Sequence, residues 1–572
     1  PIVIAQIIDV GIANHDNGYI VQRFSILILM AALGLASTIT AQFFAAKASV
    51  GFATELRQAV YDHVQHLSYT ELDTRGTDTL ITRLTDDINQ VQNGLNMGLR
   101  LLLRSPFIVL GSMVMAFTID FKCALVFAVA IPFLFLVVFV IMFFSIPLFK
   151  KVQGKLDTVT GLTRENLTGV RVIRAFCREK EAVAEFDTRN QELTKLNLFV
   201  GKLSALLNPV TYVLINIATV ILIQKAGVEV NLGGMQQGQV VALYNYMAQM
   251  IVELIKLASL IITLNKSAAS AGRVADILKV KSTMDYPSSS TYSAQISKDL
   301  ATATADASLS ENAIVFNDVT FEYSKAGAPS LSHISFSVKK GQTVGIIGGT
   351  GSGKTTLVNL ISRFYDASKG TVLLDGQNIE SYTRNDLRSR IGVVPQKAAL
   401  FKGSIRDNLK WGREDASDED LWQALTTAQG KEVVEGKPGQ LDFMLEQNGK
   451  NLSGGQKQRL TIARALVKKP EILILDDSAS ALDFATDAAL RKSLNRLDWK
   501  VTTFLVSQRS SSIQQADLIL VLDNGILAGK GTHAELLRTC DTYREIYFSQ
   551  FPEERDKYAS VSAGNIMKEV TV

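Results

Sequence analysis

Cysteine and histidine are scarce in this chain of 572 residues, which contains three cysteines and five histidines. Cys123, Cys177 and Cys540 lie far apart, without the spacing of a metal site or of a redox pair. The histidines form no sequence cluster with them, so we expect neither a disulfide framework nor a metal centre made of these side chains. A strong excess of one charge is also missing. The net charge of +4 is small for this length and does not suggest a nucleic-acid partner.

Charged residues are absent from long stretches of the first half. The 27 residues from Cys123 to Phe149 carry no charge. As a helix they would extend for about 40 Å, against about 30 Å for the hydrocarbon core of a bilayer. An apolar segment before Asp9 is expected to be the rest of a truncated first helix. Further apolar runs occupy residues 24–46, 101–119, 203–224 and 238–264. Together these segments predict an all-α domain with six transmembrane helices.

Basic residues are concentrated in one connection between these runs. Residues 150–200 contain ten lysines and arginines, whereas residues 11–20 and 118–122 are short connections that are poor in them. Because basic loops stay on the cytoplasmic side, the long connections 47–96 and 150–200 are predicted to be cytoplasmic. Both carry the spacing of amphipathic helices.

Two charged residues remain inside the last predicted spanning helix. Glu253 and Lys256 are three positions apart. Charge within a membrane is costly and often functional, so the pair could face a cavity that binds a transported compound. The two side chains could equally pair with each other on one face of the helix. The sequence leaves both alternatives open and does not identify a transported compound.

A phosphate-binding loop is indicated in the second half. Residues 348–355 match the pattern G-x-x-x-x-G-K-[ST], and they follow the apolar run 344–347, which is predicted to be a strand. Glycines allow backbone N–H groups to converge on phosphates at the start of a helix. The lysine is expected to reach the phosphates and the first threonine the magnesium ion. The residues predicted to bind are Gly348, Gly351, Ser352, Gly353, Lys354, Thr355 and Thr356.

Asp476 follows the apolar run Ile472–Leu475, which has the length of a buried parallel strand. Ligands collect at the carboxyl ends of such strands. Asp476 lies about 120 residues after the phosphate loop in the sequence. It is therefore predicted to bind the magnesium ion.

A third motif identifies a family resemblance. Leu452-Ser453-Gly454-Gly455-Gln456 matches the signature of the ATP-binding cassette (ABC) family, and the chain resembles an ABC exporter over almost its whole length. The resemblance implies an α/β P-loop cassette after the membrane domain, ATP and Mg²⁺ as cofactors, and a nucleotide site completed by the signature of a second cassette. It also implies roles for three side chains. These are Tyr323 stacking on adenine, Gln396 near the magnesium and Asp483 in the loop that faces the second cassette.

Two positions depart from the family pattern. Asp477 stands where the family has a catalytic Glu, and Gln508 where it has a switch His. Asp is one methylene shorter, and loss of about one ångström of reach can cost on the order of 100-fold in rate. Gln can donate a hydrogen bond but carries no proton for transfer. A third departure, Gln447 in place of the Glu that often precedes the signature, concerns coupling to the membrane domain.

The resemblance leads to a division of the chain and a functional expectation. We expect a transmembrane domain at 1–278, a linker at 279–313, a cassette at 314–550 and a flexible tail at 551–572. Short coupling helices are expected near 68–75 and 169–177. The cassette is expected in the cytoplasm, below a multi-pass domain in the cell membrane.

The expected activity is ATP-driven export of small, hydrophobic or amphipathic compounds by one half of a heterodimer. The partner, a similar half-transporter, would carry the missing Glu and His, while the ATP site of this chain is degenerate. Three alternatives remain: a homodimer that uses Asp477 as base, an ATP-gated channel or regulatory subunit, and an exporter of lipids or peptides.

Overall fold

The computed structural model describes residues 1–287, 311–324, 326–478 and 480–555. Most of the predicted linker and most of the predicted tail therefore lie outside the described residues. The chain divides into two compact units. One consists of residues 1–63 with 78–279, and the other of residues 64–77 with 280 onward. The predicted coupling segment 68–75 thus belongs to the second unit.

The first 278 residues are mostly helical. Five helical stretches among the described residues are long and apolar enough to cross a membrane, at 17–66, 77–119, 121–168, 179–231 and 237–278, and a shorter apolar one covers 2–12. Each predicted apolar run falls within one of them, which confirms the helical membrane domain. The helices are α1 (Ile2–Gln6), α2 (Asn17–His66), α3 (Tyr69–Arg75), α4 (Thr77–Thr82), α5 (Ile88–Leu101), α6 (Arg104–Ile119), α7 (Phe121–Thr168), α8 (Val170–Ala175), α9 (Glu179–Ala205), α10 (Leu207–Asn231) and α11 (Gln237–Leu278), with π-helical turns at Ile7–Ile12 and Arg83–Asp87.

Prolines help to set where these helices begin. Pro106 and Pro209 fall inside apolar runs of the sequence, but in the structure they lie in the first turns of α6 and α10. A first turn tolerates proline because its N–H groups have no partner within the helix. Pro132 and Pro147 lie inside α7, where each removes one hydrogen bond of the helix.

Glu253 and Lys256, the charged residues within the apolar run of α11, pair with each other. The ammonium of Lys256 lies 2.9 Å from Glu253 Oε1, and the Ser105 hydroxyl of α6 donates to Glu253 Oε2 at 2.8 Å. Glu253 is buried, and its charge is compensated by the half-exposed Lys256 and by the Ser105 hydroxyl. The structure confirms the pairing alternative that the sequence left open.

Close approach of α5 and α11 depends on one glycine. A Cβ added at Gly94 would lie 2.1 Å from Ser267 Oγ and 2.2 Å from Ser267 Cβ. The Ser267 hydroxyl donates to the carbonyl of Val91, one turn earlier in α5, at 3.3 Å. Any side chain at position 94 must therefore push the two helices apart.

We predict that Gly94→Ala destabilises the purified protein by about 1–3 kcal/mol, the usual cost of overpacking a core. This loss should outweigh the roughly 1 kcal/mol by which Ala favours a helix over Gly. The measurement is thermal unfolding in detergent. The matched control is Gly111→Ala in α6, where an added Cβ meets nothing within 4 Å. The double change Gly94→Ala with Ser267→Gly should restore most of the lost stability, and a failure to do so would refute the steric explanation.

The second unit is an α/β domain with two main sheets. Its strands are β1 (Asn312–Phe321), β2 (Leu331–Lys339), β3 (Thr343–Gly348), β4 (Lys369–Leu374), β5 (Gln377–Asn378), β6 (Ile391–Val394), β7 (Gly403–Ser404), β8 (Met444–Leu445), β9 (Ile472–Asp476), β10 (Thr502–Val506), β11 (Leu518–Asp523) and β12 (Ile526–Gly531). A six-stranded sheet has the order β12-β11-β3-β10-β9-β6, and a four-stranded antiparallel sheet has the order β2-β1-β4-β5. Only the β11–β12 pair of the larger sheet is antiparallel.

The second unit also contains ten α-helices among its described residues beyond 311. They are α12 (Lys354–Ile361), α13 (Arg384–Arg390), α14 (Ile405–Lys410), α15 (Asp418–Thr427), α16 (Lys431–Glu435), α17 (Gly454–Val467), α18 (Phe484–Leu494), α19 (Ser510–Ile513), α20 (His533–Thr539) and α21 (Asp541–Gln550). Alternate residues of the central strands enter two separate cores, as the period of two requires. Leu473 and Leu475 of β9 belong to one core, and Ile472 and Ile474 to the other.

Candidate functional site

The phosphate loop follows β3 as the sequence predicts, and its backbone accepts only glycine at several positions. A Cβ at Gly348 would lie 2.1 Å from the carbonyl oxygen of Leu522 and 2.5 Å from Ser352 Oγ. Gly351 and Gly353 have φ values of 80° and 96°, which are unfavourable for residues with a side chain. The loop therefore keeps a curved backbone in front of the start of α12.

Lys354 is the buried cation of this loop. Its ammonium donates to the carbonyl oxygens of Gly348 at 2.9 Å and Gly349 at 2.6 Å, and lies 3.4 Å from Ser352 Oγ. Burial lowers the pKa of Lys354, while the nearby carboxylates of Asp477 and Asp476 act in the opposite direction. The ammonium is thus held within the loop, where a phosphate group would compensate its charge.

Thr355 and Asp476 come together at the carboxyl ends of β3 and β9. The Thr355 hydroxyl donates to Asp476 Oδ1 at 3.2 Å, and only 5% of Asp476 is exposed. Burial raises the pKa of Asp476, the charge of Asp477 adds to the effect, and the Thr355 hydrogen bond and the Lys354 charge oppose it. A carboxylate beside a hydroxyl is an oxygen donor set suited to Mg²⁺, whose charge would remove the cost of ionising Asp476.

Asp477 adopts a left-handed backbone conformation directly after β9, with φ 46°. Its N–H donates to the carbonyl of Val506 at the end of β10, at 3.0 Å. The side-chain amide of Gln396 donates to Asp477 Oδ2 at 3.2 Å. The structure therefore brings Gln396 to the acidic pair 476–477.

Tyr323 stands at the other side of the phosphate loop. Its hydroxyl lies 3.2 Å from Thr356 Oγ1, and its ring lines a cavity of about 500 Å³ together with Gly351, Lys354 and Thr355. A ring beside the phosphate loop is well placed to stack on a purine base, as the resemblance implies.

The signature forms the start of α17. The Ser453 hydroxyl accepts a hydrogen bond from the N–H of Gln456, and the Gln456 side chain accepts one from the N–H of Ser453 at 3.1 Å. A Cβ at Gly454 would meet nothing within 4 Å, whereas one at Gly455 would lie 3.0 Å from the carbonyl of Ala481. The helix start is therefore braced from within the chain and leaves open space at Gly454.

Gln508 and Asp483 lie on the loops after β10 and before α18. Gln508 is exposed, and its carbonyl accepts a hydrogen bond from the Gln550 side chain at 2.8 Å. Asp483 caps α18 by accepting hydrogen bonds from the N–H of Thr486 at 2.8 Å and from its hydroxyl at 2.9 Å. These two hydrogen bonds lower the pKa of Asp483. Asp483 thus has a structural role within the chain, beside the role that the resemblance implies.

One residue that the sequence analysis missed connects these two loops. The guanidinium of Arg509 donates to the carbonyls of Leu482 at 3.3 Å and Ser480 at 3.4 Å, and stacks over the Phe484 ring. Its position next to Gln508 was the only signal in the sequence, because an arginine that binds distant carbonyls follows no local pattern.

These groups fit ATP with magnesium. Lys354 and the glycine backbone suit the phosphates, Thr355, Asp476 and Gln396 offer oxygen ligands, and Tyr323 offers an aromatic surface. The fold and site define a P-loop ATP-binding domain in a chain that also carries a helical membrane domain.

Comparisons with known proteins agree. Residues 1–254 match the ABC transporter transmembrane region and residues 331–480 match the ABC transporter domain. The uncharacterized ABC transporter ATP-binding protein YfiB of Bacillus subtilis (strain 168) is 34% identical over 554 residues, which cover 97% of this chain and 94% of the relative. The probable multidrug resistance ABC transporter ATP-binding/permease protein YheI of the same organism is 33% identical over 499 residues, covering 86% and 82%.

The chain therefore belongs to the ABC transporter family. A solved structure of a bacterial Atm1-family ABC exporter with ATP bound has the same fold, with a TM-score of 0.79 at 22% identity over 96% of this chain and 95% of that one. The protein is a multi-pass membrane protein with the fold of an ABC exporter and a cytoplasmic ATP-binding cassette, and ABC exporters work as dimers.

Asp476→Asn is predicted to have opposite effects on stability and on metal binding. The pKa of Asp476 is raised in the folded protein. The stability that this carboxyl group contributes is therefore fully present below its unfolded pKa and is lost as the pH rises through its folded pKa. Without nucleotide at neutral pH, the Asn variant should be at least as stable as the wild type. Its Mg²⁺-dependent ATP affinity should fall by at least the roughly 10- to 100-fold typical of a lost supporting ligand.

Thermal unfolding and ATP binding with and without Mg²⁺ measure the two effects. Asp498→Asn, at an exposed position, is the control and should change neither. Equal loss of stability and binding in Asp476→Asn would contradict the burial argument.

Proposed function

We propose that this protein is one half of a heterodimeric exporter, with ATP bound but slowly hydrolysed at its own site. The observation that carries the proposal is the surroundings of Asp477. A complete phosphate loop and magnesium site are combined with a short carboxylate at the position of the base.

The contacts of Asp477 support weak catalysis. Its backbone is fixed to Val506, and its carboxylate accepts a hydrogen bond from Gln396. A general base must reach the attacking water within hydrogen-bond distance. The shorter side chain starts from a fixed backbone and is already engaged, so we expect it to activate water poorly.

Gln508, in the position of the family's His, removes a second contribution to ATP hydrolysis. The hydrogen bond from Gln550 to its carbonyl holds the loop after β10, and the side chain at the proposed switch position is an amide in place of an imidazole. The neutral amide can contact a phosphate oxygen but cannot supply positive charge as ATP is cleaved.

The intact signature supports an unlike partner. Ser453, Gly454, Gly455 and Gln456 keep a braced helix start that suits an anion. In the proposed dimer this surface completes the ATP site of the partner, which carries the Glu and His that are missing here. The two cassettes close with ATP between them, the membrane halves open outward, and turnover at the competent site resets the pair.

The proposed cargo is a small hydrophobic or amphipathic compound. The first unit contains an apolar cavity of about 350 Å³, formed by α7, α10 and α11, with Phe133, Met247 and Lys225 in its lining. Apolar pockets with few polar groups are typical of sites for such ligands. The relative named as a probable multidrug resistance transporter supports the same class.

The proposal predicts that the purified chain alone hydrolyses ATP slowly and gains activity when the family residues are restored. Asp477→Glu with Gln508→His should raise turnover by about 10²-fold or more, the amount typical of a general base. ATP turnover in a homogeneous preparation is the measurement. Asp498→Glu serves as the control, because it makes the same change at an exposed position and should leave the rate as it was.

The alternatives give different results. If Asp477 is already the base of a homodimer, the single chain is active, Asp477→Glu changes little, and Asp477→Asn abolishes turnover. A channel or regulatory subunit would move no compound into vesicles against a gradient. Lipid and peptide exporters would be distinguished by which of these compounds accumulates in the vesicles with ATP.

A further inference from the structure

Helix α3 packs on the segment that follows α12. The ring of Tyr69 lies 4.7 Å from the ring of Phe364 and 6.1 Å from that of Tyr365, measured between centroids. The hydroxyl of Tyr365 donates to Asp73 Oδ2 at 2.6 Å. All of these residues belong to the second unit.

A second contact fixes α3 at its start. Glu71 accepts hydrogen bonds from the hydroxyl and N–H of Ser68, which cap the helix, and from the N–H of Thr283 at 3.2 Å. These hydrogen bonds lower the pKa of Glu71 against the opposing effect of burial. The helix is thus held at both ends, and the contact with Tyr365 has a defined geometry.

Tyr365 also contacts the adenine-binding candidate. Its ring meets that of Tyr323 edge to face, with centroids 5.2 Å apart and an interplanar angle of 84°. Tyr323 is held at its other end by the contact between its hydroxyl and Thr356, next to the magnesium candidate Thr355. A continuous series of direct contacts therefore joins Thr356, Tyr323, Tyr365 and Asp73.

Tyr323 has space on two sides. It lines the cavity beside the phosphate loop, and it also lines a second cavity of about 370 Å³ whose walls include Asp73, Thr283 and Tyr365. The Tyr323 ring is restrained by Thr356, by Tyr365 and by Phe321, whose ring centroid lies 4.8 Å away, and it has free volume around it. An adenine base that stacks on Tyr323 would therefore act on the contact between the Tyr323 and Tyr365 rings.

We propose that Tyr365 is a positioning residue that orients Tyr323 for the base of ATP and transmits its occupancy to α3 through the hydrogen bond to Asp73. This inference rests on the proposed ATP site but requires neither a heterodimer nor export. Because α3 follows α2 after only Leu67 and Ser68, a change at Asp73 acts on a helix next to a membrane-spanning one in the chain.

The two functions of Tyr365 are separated by substitution. Tyr365→Phe keeps the ring against Tyr323 and removes only the bond to Asp73, whereas Tyr365→Leu removes both. Asp73→Asn retains an acceptor oxygen and should behave as the wild type, while Asp73→Ala should behave as Tyr365→Phe.

The first readout is nucleotide affinity of the full chain in detergent. Tyr365→Leu should weaken ATP binding by about 2- to 10-fold, as expected for loss of an aromatic contact. It should leave the binding of inorganic triphosphate, which has no base, unchanged. Tyr365→Phe should bind both as the wild type does. Equal weakening of both ligands in Tyr365→Leu would indicate a merely structural role and overturn the positioning role.

The second readout is hydrogen exchange at residues 69–75 with and without ATP. We expect ATP to slow exchange in the wild type and in Asp73→Asn, and to have no effect there in Tyr365→Phe and Asp73→Ala. An ATP effect that persists in Tyr365→Phe, or is missing from an ATP-bound wild type, would overturn the transmission. A wild type that binds no ATP would instead refute the proposed function, and this inference with it.

Discussion

Parallel pairing of β3, β10 and β9 is the constraint on which the nucleotide site depends. It places the carboxyl ends of the three strands side by side, so that the phosphate loop, the switch loop and the acidic pair meet at one edge of the sheet. Lys354 and Asp476 are buried there with opposite charges. Burial disfavours the charged form of both side chains. A phosphate beside Lys354 and a magnesium ion beside Asp476 would offset this cost.

The same pairing makes the shorter side chain of Asp477, compared with Glu, important for catalysis. The N–H of Asp477 is bonded to the last residue of β10, so its backbone cannot advance to compensate for a missing methylene. Its hydrogen bond with Gln396 connects the acidic pair to a second loop. One carboxylate thus links the chemistry of the site to the assembly that we propose.

Much of the site could be predicted from the sequence because its motifs are local. The phosphate loop, the signature helix and the strand before Asp476 each depend on neighbours a few residues away. Other features are not local. The i,i+3 spacing of Glu253 and Lys256 allowed two interpretations until Ser105 and burial showed which applies. Tyr365 and Asp73 are 292 positions apart, and no periodicity relates them.

The sequence by itself determined which segments are apolar enough to cross a membrane, which loop carries the phosphate-binding pattern and which two positions depart from the family pattern. These properties follow from composition and short-range geometry. Only the tertiary structure decided that Glu253 is neutralised by Lys256, that Gln396 engages Asp477 and that Tyr365 contacts both Tyr323 and Asp73 of α3. Burial and contacts between distant residues arise when helices and sheets pack, and the free energy of such contacts depends on all of the surfaces brought together.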